Sequence, residues 1–298
     1  MLAASSTGRE DVDLEQQRRS PSATRQALLV DFHVHPGPDS RPRRCDAFDI
    51  AAAAHAHGIV GMVLKSHTLS TVGTASVLER VQPGLRVSGG IAMNRAAGGI
   101  NPEAVEASAR AGGKVIWFPT QDSENERRRT GAGGPAVSIW GSGGALTPDV
   151  HDVLRLAADH DQVVCSGHLA PDEVVALFDA AVEHGVERFV VSHPDHRHVD
   201  MPVSLQSDLA RRGAVMERVV PRREISDVDL PGMVARIGAV GVGRNVLGSD
   251  LGQPHNPVPP EGFRRFAEQL LDEGISEAEL TLMGLTTAAE LLGWEVPA

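Results

Sequence analysis

From residue 27 onward, short apolar runs alternate with longer segments whose apolar residues recur every three or four positions. The runs ALLVDFHVH, GIVGMVLKSH, LRVSGGIAMN, KVIWFPT, QVVCSGH, RFVVSHP, AVMERVV and NVLGSD are rich in β-branched residues, as strands buried on both faces are. Between them stand FDIAAAAHAHG, PEAVEASARAGG, PDVHDVLRLAADH and PDEVVALFDAAVEHG. Pro or Asp lies at or near their starts and Gly closes several, which are helix signals. Eight such alternations predict a parallel sheet, and eight is the number that closes a barrel. His33 and Asp250 stand 217 residues apart, so seven repeats average 31 residues each, the size of a strand–helix unit. The predicted fold class is therefore α/β, a (β/α)8 TIM barrel, with residues 27–298 as one domain. An open doubly wound sheet would carry G-x-G-x-x-G after its first strand, where this chain has DFHVHPG.

Two stretches fall outside the pattern. Residues 1–26 are polar and charged and are expected to form a mobile tail. Residues 121–145 are Gly-rich and charged, and are expected to form a mobile flap over the barrel mouth, with Trp140 offering an apolar contact to substrate. Composition then narrows the function. The chain has 298 residues, 41% hydrophobic and 22% charged, which suits a globular protein with a substantial core. Its formal net charge of -11 argues against nucleic acid as the main partner. Cys45 and Cys165 are too few for a disulfide framework. With no apolar leader and no run of about 18 apolar residues, the expectation is a cytoplasmic protein with no membrane partner. A small molecule is the expected substrate, and a homo-oligomer stays open.

The polar residues that end the strands carry the chemistry. His33 and His35 end the first strand as H-x-H, and residues two apart on a strand share a face, so both imidazoles can reach one ion. Lys65 and His67 end the second strand, His168 the fifth, His193 the sixth, Glu217 the seventh and Asp250 the eighth. In a barrel these ends converge on the face that bears active sites. The joint pattern points to a metal site. Arg43 and Arg44 follow the first strand and are candidates to meet an anionic substrate, as are Glu217 and His196 to contact substrate; His198 and His255 are weaker candidates. His55, His57, His151, His160 and His184 lie in helical stretches and read as solvated, as does the run Arg127 to Arg129.

DFHVH, SGH, SHP and GSD, in that order, resemble the amidohydrolase superfamily of metal-dependent hydrolases, and TTAAELLGW is similar to that superfamily's closing helix, with Thr287 where Asn is common. The resemblance covers residues 29–294 and is nearest to amidohydrolase-like proteins with a K-x-H second strand. It implies that His33, His35 and Asp250 bind one divalent metal, most simply zinc, with manganese or another transition metal as options. His168 and His193 would bind a second, or His193 would face the substrate of a one-metal site. Asp250 would accept the proton of the attacking water. The fourth strand, KVIWFPTQ, lacks the Lys or Glu that bridges two metals in many members, which opens the metal count.

The reaction that follows is hydrolysis of an amide, lactam, ester or lactone by a metal-activated water, with Asp250 as base and then acid and His67 polarising the carbonyl. Phosphoester hydrolysis, mononuclear metal-dependent decarboxylation and a non-catalytic metal- or ligand-binding barrel are the rivals. Lys65 has three readings: a salt bridge to Asp250 or Glu217, a carboxylated lysine bridging two metals, or a substrate contact.

Overall fold

The computed structural model describes residues 27–295, so the tail expected over residues 1–26 lies outside the described residues. The strands are β1 (Leu29–Val34), β2 (Ile59–Leu64), β3 (Arg86–Ser88), β4 (Gly90–Ala92), β5 (Val115–Trp117), β6 (Val163–Cys165), β7 (Phe189–Val191), β8 (Val215–Val219) and β9 (Asn245–Gly248). The helices are α1 (Ala47–Ala54), α2 (Val72–Val81), α3 (Pro102–Arg110), α4 (Glu124–Thr130), α5 (Pro148–Asp159), α6 (Pro171–Glu183), α7 (Val203–Arg211), α8 (Leu230–Val240), α9 (Pro259–Asp272), α10 (Glu277–Thr281) and α11 (Thr287–Leu292).

All strand pairs are parallel, in the orders β1-β2-β3 and β4 to β9. β3 and β4 are two halves of the third barrel strand, broken at Gly89. A Cβ there would lie 2.7 Å from the Thr71 carbonyl. The Thr71 hydroxyl fills the break, donating to Leu64 O at 2.7 Å and accepting from Gly90 N at 3.0 Å. The last strand meets the first: Asp250 N donates to His33 O and His35 N to Leu251 O, each at 2.8 Å. This closes the predicted eight-stranded barrel and welds the two strands that carry the first candidate ligands.

The barrel interior is filled by Val30, Phe32, Val63, Trp117 and Val246, and the C-terminal segment plugs it with Leu285, Ala288 and Leu292. Separate apolar layers lie between the strands and the surrounding helices. With its lower half filled, the barrel carries its polar residues at the strand C-termini. No helix among the described residues is long and apolar enough to cross a membrane.

Residues 121–145, expected as a flap, carry α4 and contacts that tie them to the barrel. Ser123 caps α4, accepting from Glu126 N at 3.0 Å. Asn125 is buried and donates to the carbonyls of His168 at 3.0 Å and His198 at 2.6 Å. Ile139 is fully buried, and Trp140 packs against the outer core instead of facing substrate, because its neighbours are apolar helix side chains. Arg127 pairs with Asp122, and Arg128 donates to Asn125 Oδ1 at 3.1 Å, so these two serve the segment's own fold.

Candidate metal centre and its cavity

His33, His35 and Asp250 converge on one point. His33 Nε2 lies 3.0 Å from His35 Nε2 and 3.4 Å from Asp250 Oδ1, and His35 Nε2 lies 3.1 Å from the same oxygen. The β1–β2 register slips between Asp31 and Val34, the point where the strand delivers both imidazoles to the mouth. Asp31 secures that bend, its carboxylate accepting from His33 N at 3.1 Å and Ser249 N at 2.8 Å. Asp250 and His193 hold positive φ angles of 50° and 24°. Non-Gly residues pay steric strain there, and such strain clusters at functional sites. Gly252 lets the segment after Asp250 pack against the end of β1: a Cβ on it would lie 1.9 Å from His35 O.

The donor chemistry suits a divalent cation. His35 Nδ1 must donate to Lys65 O at 3.0 Å, which leaves Nε2 as a bare lone pair. It faces His33 Nε2 and a carboxylate oxygen, so either the His33 Nε2 proton or a cation has to sit among the three atoms. Tetrahedral zinc with bonds of roughly 2.0–2.1 Å needs ligand atoms about 3.3 Å apart, close to the spacings here. Burial also holds His33 well below its ordinary pKa and His35 down at about 4, so both imidazoles are neutral at pH 7, the form that ligates. Burial acts to raise the Asp250 carboxyl, but His33 and Arg222 override it and hold it well below the usual range.

Glu217 lies within β8, facing inward, and supports the set from behind. Its Oε1 is 3.0 Å from His33 Nδ1, and its Oε2 accepts from His193 N at 3.1 Å. Burial pushes Glu217 up to about 8. His33, His193 and Glu217 form a second close cluster. It uses the opposite ring nitrogen of His33, so it serves the first set as a carboxylate–histidine support.

The remaining histidines ring a cavity of about 230 Å³. His168 reaches it from the S-G-H turn after β6; a Cβ on Gly167 would lie 2.2 Å from Phe118 O, so only Gly fits the turn. His168 Nδ1 bonds Glu126, whose carboxyl burial would raise; the His168 charge and hydrogen bond outweigh this and hold it at about 2. The rings of His168 and His193 are 4.8 Å apart, and His193 stacks on His196 at 4.1 Å. His67 lies against His35 at 4.8 Å and meets Thr120 Oγ1 through Nδ1 at 2.8 Å. Below the rings, Arg218 is fully buried and donates to Asp195 at 2.6 Å, anchoring the H-P-D-H turn.

Three expectations need correcting. Lys65 forms no salt bridge with Asp250 or Glu217: its Nζ has no partner among the described residues and lies 5.3 Å from the Trp117 ring centre. The two acids are held instead by Arg222 and the imidazoles. Burial drives the Lys65 pKa down, with Glu217 opposing. Arg43 is spent on Asp39 at 2.6 Å, and Arg44 donates to Pro254 O at 3.1 Å; neither lines the cavity. Arg41 and Arg222 line it instead, with Arg222 Nη2 donating to Asp250 Oδ2 at 2.5 Å.

The model of the family described as "Family of unknown function (DUF6282)" matches residues 29–217. No curated protein matches the chain. Among solved structures, a candidate 2-pyrone-4,6-dicarboxylic acid hydrolase from Pseudomonas putida is 18% identical with a TM-score of 0.62, covering 91% of this chain and 99% of its own. An amidohydrolase from Burkholderia multivorans with bound zinc is 15% identical with a TM-score of 0.60, over 90% of this chain and 100% of its own. The 2,6-dihydroxybenzoate decarboxylase from Rhizobium is 13% identical with a TM-score of 0.55, over 89% and 98%. At these identities the likeness establishes the amidohydrolase-type barrel fold.

Proposed function

This chain belongs to the DUF6282 family, and we propose that it is a metal-dependent hydrolase acting on an ester, lactone, amide or lactam bond of a small molecule. The observation that carries the reading is the convergence of His33 Nε2, His35 Nε2 and Asp250 Oδ1 within 3.4 Å, with Asp250 also lining the cavity. Two imidazoles and a carboxylate suit zinc, with manganese the alternative, and leave coordination open, as catalytic sites do. Such an ion supplies Lewis acidity and acidifies water. His67 stands beside His35 with its Nδ1 fixed by Thr120, so its other nitrogen is aimed to hold the substrate carbonyl oxygen. Asp250 Oδ2 accepts the water's proton; Arg222 makes it a weak base, and His196 Nε2, 3.7 Å away, is placed to pass that proton on.

Decarboxylation is the second reading. One observation favours it: His33, His35 and Asp250 form one three-residue ligand set, while His168 is engaged by Glu126 and Lys65 bridges nothing. The proteins similar in fold include both hydrolases and a decarboxylase.

The test is metal content and turnover together. Protein made in zinc-supplemented medium is expected to carry at least one zinc per chain, lost in His33→Ala. Asp250→Asn is expected to stay folded and lose about 10²–10⁴-fold in hydrolysis of an ester and lactone panel. Metal-free wild type that binds none on titration overturns the proposal; carbon dioxide release from aromatic acids by the zinc form, without hydrolysis, selects the second reading.

A further inference from the structure

We propose that the substrate is an anion, whose carboxylate or phosphoryl group is held by Arg222, His196 and Arg41 on the cavity wall. This rests on the metal-hydrolase reading and adds the charge class of its substrate.

The cavity holds buried nitrogens without partners. Of the buried polar atoms on its lining residues that have no partner, five are nitrogens: Lys65 Nζ, His193 Nδ1, His196 Nδ1 and Nε2, and Arg222 Nε. One is an oxygen, Gln121 Oε1. Arg222 Nε is always a donor, Lys65 Nζ carries N–H bonds in either protonation state, and each neutral imidazole offers one N–H, so these residues mark where ligand oxygens complete the wall. Arg222 is only 10% exposed in its side chain; it gives Nη1 to Gln253 Oε1 at 2.9 Å and Nη2 to Asp250, and keeps Nε for the cavity.

The acids on the lining do not compete for this role. Glu126 is bound to His168, and Asp250 to His35 and Arg222. Glu224 is exposed at the rim. Arg41, also exposed, makes no ion pair among the described residues, so an entering anion meets a free guanidinium first. A divalent metal on His33, His35 and Asp250 would add positive charge to the same wall. The chain as a whole carries a formal charge of -11, so this concentration of donors is not a by-product of a basic surface. Guanidinium and imidazole donors around a small cavity match an oxyanion through charge-assisted hydrogen bonds.

Calorimetric titration of zinc-loaded protein with glutarate, its neutral diamide glutaramide, and inorganic phosphate tests this. At least one anion is expected to bind about tenfold or more tightly than glutaramide, with the gain falling as salt rises. Arg41→Gln and Arg222→Gln are each expected to weaken anion binding about fivefold or more, Arg41→Gln at unchanged zinc content. Tighter glutarate assigns a carboxylate and tighter phosphate a phosphoryl group. Failure of both anions to bind more tightly than glutaramide, or anion affinity unmoved in Arg41→Gln, overturns the proposal. Arg41 is exposed, so its variant reports even if Arg222→Gln does not fold. Zinc is measured on the same samples. Arginine-dependent anion binding without zinc overturns the metal reading alone, and zinc without arginine-dependent binding overturns this one alone.

Discussion

Glu217 touches His33 Nδ1 with one oxygen and the backbone N–H of His193 with the other, so one buried carboxylate orients a ligand on β1 and the turn after β7. A metal at His33 Nε2 needs the ring proton on Nδ1, and an ionised Glu217 is the group that accepts it. Burial favours the protonated carboxyl, so loading the metal is coupled to release of a proton from this pair. Gln at this position keeps the shape and loses the charge. Glu217→Gln is therefore expected to lower zinc affinity about 10–100-fold, as loss of such support typically does, with the fold retained. Competition against a chelator of known affinity measures this. Wild-type affinity in the variant would mean that Glu217 only fills space.

At the scale of elements, α4 and the turn before it hold the cavity wall through one side chain. Asn125 is 1% exposed and donates to the carbonyls of His168 and His198, which belong to the turns after β6 and β7. Asn125→Ala would leave buried carbonyls with fewer partners, at a cost of about 1–3 kcal/mol. The urea midpoint is expected to fall, and residues 121–145 to become open to limited proteolysis; an unchanged midpoint and cleavage pattern would show that α4 is held by other contacts. The sequence made the strand ends legible because H-x-H, S-G-H, S-H-P and G-S-D each close a β-branched run, and barrel order then brings them together. Glu126 was not legible for a local reason. S-x-x-E at Ser123 and Glu126 reads as a capping box, in which the carboxylate turns back to the cap; here it crosses to His168. Arg41 and Arg222 sit in irregular loops, where no periodicity says which of several neighbouring arginines faces inward, and so Arg43 and Arg44 were expected in their place. The broken third strand left a trace, the Gly89-Gly90 pair inside an otherwise strand-like run.

For the whole molecule, the mouth of the barrel is a store of buried titratable groups, and this sets how stability depends on pH before metal is bound. Burial lowers the pKa of His33, His67 and His193, and takes His35 to about 4 and His196 to about 3, against 6.5 for an unperturbed imidazole. Below pH 6.5 the unfolded chain takes up protons on these five groups that the folded chain refuses, so stability falls as pH drops. Each group contributes up to about 1.4 kcal/mol per pH unit until its folded pKa is reached. Two carboxyls act in the other direction. Burial raises Asp31 to about 7 and Glu217 to about 8, so the folded chain keeps protons there that the unfolded chain has lost. Their stabilisation is present at low pH and is lost as pH rises through 7 and 8. Between pH 6.5 and 5 five imidazoles outweigh two carboxyls, whereas by about pH 7.5 the unfolded imidazoles are neutral too and the carboxyls set the slope, opposed by Lys65, whose lowered pKa leaves a proton on the unfolded chain alone. Chelator-treated protein is therefore expected to be most stable near pH 7, with a steep loss on the acid side and a shallower loss toward pH 8. Urea midpoints measured from pH 5 to 8 test this, and a midpoint that is flat or rises on going from pH 6.5 to 5 would show that these imidazoles are hydrated, contrary to their burial. Zinc-loaded protein should keep its midpoint to lower pH, because protons and metal compete for the same lone pairs of His33 and His35.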